Sequence, residues 1–254
     1  MPELVGRMAS ACLLAIVAGP ALGQDVARLR ERLNGCWGNE PIQVAVRVEQ
    51  RGGVKAVSSP TAPAAPETAA NFEIGAANNM LTVRLAEDQV RQEDPALRKA
   101  KAPNAAADGL ADVSLSRVAA FVNYGPALAR ALDGFRLEGR KPDACQGVPC
   151  TKWSLSQTEN ASAMGMSMKQ SATWEIWMDA EGYPVAAERT EQTKTKALFV
   201  STTSTSRTWC RFQRHGHRLV LVFEQTKGNH EVAGSQVSVT TTTTVGLKKD
   251  PPPP

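Results

Sequence analysis

What this chain lacks most is a motif that carries chemistry. It has no Gly-x-Ser-x-Gly elbow, no His-Glu-x-x-His, no phosphate-cradling loop and no dinucleotide glycine fingerprint. It has only 3 histidines, His215, His217 and His230, and they fall in or near turn sequences. Its acidic pairs, Glu87-Asp88 and Glu93-Asp94, sit in polar context, where such pairs are ordinarily solvated. These absences argue against an enzyme and give no cofactor. A strong charge imbalance is missing too. With 29 basic and 25 acidic residues the net charge is +4, which leaves no nucleic-acid footprint. No apolar run beyond the N-terminal one exists, so no transmembrane span is expected in the mature chain. Aromatic residues make up only 5%. What is there is length, 254 residues, and 42% hydrophobic content, enough for a sizeable core.

The N-terminus reads as an export signal. Arg7 precedes the apolar stretch Ala9 to Ala18, Gly19-Pro20 break it, and the small residues Ala21 and Gly23 suit cleavage after Gly23. The stretch is about half the length a bilayer span needs. Residues 1–23 are therefore expected to be a signal peptide, 24–247 a single domain and 248–254 a disordered tail, in a periplasmic or secreted protein. A buried N-terminal helix or an uncleaved anchor is the alternative.

Cleavage would leave four cysteines, Cys36, Cys145, Cys150 and Cys210. An even number in an exported chain suggests disulfides, and four cysteines allow three pairings. Cys145 and Cys150 enclose only Gln-Gly-Val-Pro and could staple a hairpin, leaving Cys36 for Cys210. A four-cysteine zinc site is the rival reading, with only one short ligand pair to support it.

Gln24 to Leu33 reads as a short amphipathic helix or an extended arm. Ile42, Val44, Val46 and Val48 alternate with polar or small residues and mark a half-buried strand. Two mobile loops are expected near 51–70 and 92–109, both rich in Pro and Ala. Between them, Phe72 to Ile74 and Met80 to Leu85 read as strands around a turn at Gly75 to Asn79. Asp112 to Asp133 has helical spacing, with Leu115, Val118, Ala119 and Val122 on one face. Gly125-Pro126 should interrupt it, with Pro126 opening a second short helix and Gly134 past its end. From Phe135 the period becomes two. Phe135 and Leu137, Trp153 and Leu155, and Trp174, Ile176 and Met178 each share a strand face, and Asp179 to Gly182 is a turn. Threonines and β-branched residues load the remaining strands to Val245. Segregated helices and hairpin-linked strands predict an α+β fold, a curved antiparallel sheet forming an incomplete barrel with a helical insertion.

One local oddity is Met164, Met166 and Met168, which would share one face of a strand. Soft thioethers suit Cu(I), with Met178, His215 and His217 as conceivable helpers. Equally, flexible methionines can line an apolar surface. Together with Trp153, Trp174, Ile176 and Met178, the three methionines are the candidates for lining a cavity wide enough for an acyl chain, which gains about 0.8 kcal/mol per buried methylene.

The segment Thr173 to Gln192 (TWEIWMDAEGYPVAAERTEQ), with a helical segment before it, resembles the central hairpin of the periplasmic lipoprotein-carrier (LolA-like) superfamily, over about Ala111 to Thr226. The resemblance implies an incomplete antiparallel barrel closed by helices around an acyl-chain cavity. It transfers no ligand-binding residue. The chain departs from the pattern in its two proline-rich loops, its cysteines and its Thr-rich last strand. The function expected from sequence is non-enzymatic binding or carriage of a lipid or lipoprotein acyl chain in the envelope. An envelope protein–protein interaction or sensing module is the alternative, and periplasmic Cu(I) binding the third.

Overall fold

A computed structural model describes residues 19–56, 68–78, 80–85, 115–163, 166–197, 200–232 and 235–248. Residues 1–18 of the expected leader, the loop at 92–109, the start of the expected helix at 112–114, Met164 and the tail beyond Lys248 lie outside the described residues.

Ten strands and three helices are formed among the described residues. Helix α1 spans Gly19–Asn34 and is continuous through Gly23. Strands β1 (Ile42–Ala56), β2 (Thr68–Ala77) and β3 (Met80–Leu85) follow. Helices α2 (Leu115–Val122) and α3 (Tyr124–Ala131) come next. Strands β4 (Arg136–Cys145), β5 (Val148–Ala163), β6 (Met166–Met178) and β7 (Pro184–Ala197) run on as hairpins. Strands β8 (Val200–His215), β9 (Arg218–Val232) and β10 (Ser235–Leu247) complete the sheet. The strand order is β3-β2-β1-β10-β9-β8-β7-β6-β5-β4, antiparallel throughout and not closed. The single non-sequential step is β1 beside β10, where Val44 opposes Leu247 and Val46 opposes Val245.

The three described helices lie on one face. Helix α2 touches β2 and β9, α3 rests on β9, and α1 packs on α3 and β4. Strands β2 and β4 are eight positions apart, about 38 Å in a flat sheet at 4.8 Å per strand. The α2–α3–α1 row covers only about 20 Å at 8–10 Å per helix pair. The sheet must therefore curl around the helices.

The alternation read from sequence sets the register. Val44, Ile74 and Val83 form one row across β1, β2 and β3, and Leu155 opposes Trp174 while Trp153 opposes Ile176. Val26, Leu29 and Leu33, at helical spacing, form the buried stripe of α1. Leu33, Phe72, Phe121, Leu128, Leu132 and Ile176 merge in one core with almost no exposed surface. Gly125 lets α1 and α3 touch backbone to backbone: a Cβ there would lie 2.4 Å from the Leu33 carbonyl oxygen.

Several expectations need correction. The helical break falls at Asn123, because α3 begins at Tyr124 and takes Pro126 into its first turn, where a missing N–H costs nothing. The segment 51–70 is strand at both ends, since β1 runs to Ala56 and β2 starts at Thr68; pairing with β10 supplies hydrogen bonds that local composition could not reveal. Strand β2 also runs on to Ala77, so the following turn is tighter than Gly75 to Asn79. His230 lies within β9. Lys248 is held, its N–H donating to the Gln43 carbonyl at 2.9 Å.

The four cysteines are free thiols in this structure. Gln146 (φ 54°) and Gly147 (φ 81°) make a two-residue turn that sets Cys145 opposite Val148 and Cys150 opposite Asp143. The pair is diagonal, whereas direct opposition is what brings two Cβ atoms to bonding distance. Cys36 and Cys210 are separated by the first turn of α3: Cys36 lies against Gly125, and Cys210 Sγ is 3.9 Å from the Tyr124 hydroxyl.

Candidate functional site

On the helix-bearing side of the sheet, three places among the described residues are candidates to receive a ligand. The first contains two of the residues singled out from sequence. Trp153 and Met178 line a cleft of about 450 Å³ between α1, β4 and the β6–β7 turn. Of its charged side chains, Asp25, Arg32, Arg140, Asp179 and Glu181 are already engaged, while Arg28 is exposed. Arg140 pairs with Asp25 at 2.7 Å and stacks 3.8 Å above the Trp153 ring. Arg32 donates to the carbonyls of Glu181 and Gly182 at 2.9 Å each, and Arg214 pairs with Glu181. These contacts lock α1 to the sheet. Gly182, at φ +79°, keeps room for the Arg32 guanidinium, which lies 2.0 Å from where a Cβ would stand.

The remaining sequence candidates separate. Trp174 and Ile176 are core, with Trp174 3% exposed. Met166 and Met168 are exposed at the other end of β6. Met178 lies ten residues further along that strand, about 34 Å away at 3.4 Å per residue, so it cannot join them at one copper ion. Nor can His215 and His217, which bracket the β8–β9 turn at Met178's end of the sheet. Among the described residues no three His, Cys, Asp or Glu side chains converge to hold a metal.

The second place is a buried polar cluster where the helices end. Arg117 of α2 pairs with Glu224 of β9, whose other oxygen lies 3.7 Å from Cys210 Sγ. Burial, then the Glu224 charge, pushes the Cys210 thiol far up. Burial, then Cys210, does the same for the Tyr124 hydroxyl. Both are protonated at neutral pH, which suits packing and not nucleophilic attack. The sign follows directly. A folded-state value raised above the ordinary 9.0 of a thiol and 10.0 of a phenol means the unfolded chain loses these protons first. The stabilisation is complete below pH 9 and declines above it, by up to about 1.4 kcal/mol per pH unit for each group. The melting temperature should therefore fall above pH 9, and Cys210→Ala should make that fall shallower; parallel curves for the two proteins would contradict it.

The third place is the β3 edge. All six residues of β3 are exposed. Leu81, Val83 and Leu85 share rows with buried Ala76, Ile74 and Phe72, so they continue the core-facing apolar surface past the helices. Trp37, 50% exposed, faces the same seam. Two small clefts flank it: one of about 70 Å³ lined by Trp37, Met80, Leu81, Ala119 and Val122 among others, and one of about 180 Å³ lined by Ile42, Ala76, Met80 and Thr82 among others.

The two sheet edges contrast. Strand β4 carries Arg136, Glu138, Arg140, Lys141 and Pro142, and a register shift between Leu137 and Gly139. Charges, proline and bulges are the standard means of blocking strand addition. Strand β3, MLTVRL, has one charge, no proline and no bulge. The sequence marks Met80 to Leu85 as a strand but assigns it no site. The signal was present in that contrast, but which strands are edges is not written locally.

Comparison with family models, with curated proteins and with solved structures finds no match for this chain. The likeness to the lipoprotein carriers rests on the Thr173–Gln192 hairpin and the element order alone.

Proposed function

We propose that this is a non-enzymatic binding protein of the cell envelope that captures an extended segment of a partner polypeptide beside β3. The observation that carries the reading is the β3 edge, which pairs with no strand beyond β2 among the described residues and borders exposed Leu81, Val83 and Leu85. Such an edge offers main-chain hydrogen bonds for affinity and alternate side-chain positions for specificity. The high thiol values of Cys36, Cys145 and Cys210, each set first by burial, support a role without catalysis.

Carriage of an acyl chain is the second reading. It is favoured by the same apolar strip and disfavoured by the packed interior, where Leu33, Phe121, Leu128 and Leu132 occupy the space beneath the sheet. Hydrocarbon would use the strip but not the backbone edge.

The test is selection of displayed random peptides on the full-length protein. Selected peptides should show apolar residues at alternate positions, slow amide exchange across 80–85, and bind Val83→Lys at least tenfold more weakly. Val83 is 42% exposed, so this change should leave stability within about 0.5 kcal/mol. Peptides that bind the variant equally well would exclude strand addition. Saturable binding of a fluorescent fatty acid, or lipid co-purifying without detergent, would favour carriage instead.

A further inference from the structure

The face of the sheet turned away from the helices carries a second, unrelated constellation. Strand alternation brings Glu188, Trp209 and Gln225 into one row across β7, β8 and β9, and Arg207 and Lys227 into the next row on that face. These five side chains line a groove of about 300 Å³. Trp209 is set edge-on against Trp177, ring centroids 5.1 Å apart at 65°, which fixes its orientation. Glu188 and Arg207 form a two-pronged pair, at 2.7 Å and 2.8 Å, that holds both planar groups at the groove wall. Gln225 reaches Thr242 only at 3.4 Å, leaving donor and acceptor capacity. Lys227 is exposed and makes no ion pair among the described residues.

We infer that this groove binds an acidic polysaccharide, one uronate-type sugar ring seated on Trp209. The groove combines a fixed indole, planar amide and guanidinium–carboxylate groups, and one free ammonium. The apolar indole matches the C–H face of a pyranose ring. Gln225 and the Arg207–Glu188 fork match ring hydroxyls, which both donate and accept. Lys227 supplies the charge complement of a carboxylate, and Lys152, Arg211 and Arg47 share one row on the same face, two rows from Lys227, with Glu175, Glu188 and Glu49 in the Trp209 row between; Lys152 pairs with Glu175 and Arg47 with Glu49. A groove selecting for charge alone would not need the tryptophan.

Calorimetric titration of the full-length protein with a hexagalacturonate, a neutral maltohexaose and a polyphosphate tests the inference. Hexagalacturonate should bind with a change in tryptophan fluorescence, at least tenfold more tightly than maltohexaose. Trp209→Ala and Lys227→Ala should each weaken it at least tenfold, while Val83→Lys should leave it unchanged. Lys227 is exposed, so its variant reports on binding even where Trp209→Ala loses packing against Trp177. Absence of hexagalacturonate binding would overturn the inference. So would equal binding of polyphosphate, or a Lys227→Ala affinity equal to that of the parent protein.

Discussion

Replacing Arg117 by methionine is expected to destabilise the protein by about 3 kcal/mol, the low end for breaking a buried ion pair. The side chain of Glu224 is 7% exposed and that of Arg117 34%. Water can reach part of the guanidinium but very little of the carboxylate. Without Arg117, Glu224 must remain charged in an apolar setting beside Cys210 or take up a proton. Both are costly. Combining Arg117→Met with Glu224→Leu should recover most of the loss, because an apolar pair of similar volume replaces the ionic one. Urea denaturation of the two single variants and the double variant reads the coupling directly. A loss below about 1 kcal/mol in Arg117→Met would mean that the pair does not join α2 to the sheet.

Phe121→Ala should cost about 3–5 kcal/mol. Phe121 is 1% exposed, its ring lies 6.1 Å from that of Phe72, and it stands where α2 fills the curl of the sheet. Its removal leaves a void lined by apolar side chains, which stays dry and accepts a small apolar guest. The variant should therefore bind benzene or xenon and recover stability in its presence, whereas the parent protein should bind neither there. Denaturation with and without benzene measures both effects. A loss of less than about 1.5 kcal/mol would mean that the interior relaxes around the gap and is less tightly filled than this packing implies.

The strands were legible where one face is buried. Val44, Val46 and Val48 announce β1 by alternation alone, as Trp174, Ile176 and Met178 announce β6, because burying one side of a strand forces period two. Helix α1 was legible only as one of two readings, an amphipathic helix or an extended arm, although Val26, Leu29 and Leu33 recur at helical spacing. The helical break was misplaced by two residues because Gly-Pro is a strong local signal, yet a first helical turn tolerates both residues. The expected loop at 51–70 hid the ends of two strands, because their hydrogen bonds come from β10 and from each other, not from their own side chains.

The site was legible only in fragments. Trp153 and Met178 do border a cleft, but most of its charged side chains are engaged with neighbours, Arg140 with Asp25 and Arg32 with the Glu181 and Gly182 carbonyls. Nothing in the chain links Arg117 to Glu224, more than a hundred residues later. Nor does anything local mark β3 as an edge, or place Trp209, Gln225 and Lys227 around one groove.

By itself the sequence determined most of the element types, the hairpin succession after the helices and the buried face of strands such as β1 and β6. These follow from periodicity and turn chemistry, which act over a few residues. Only the tertiary structure decided that β1 pairs with β10, that α1, α2 and α3 fill the trough, that Cys36, Cys145, Cys150 and Cys210 are free thiols and that β3 has no strand beyond it among the described residues. Those outcomes depend on which distant surfaces compete for the same partners, and that competition is resolved only when the whole sheet has formed.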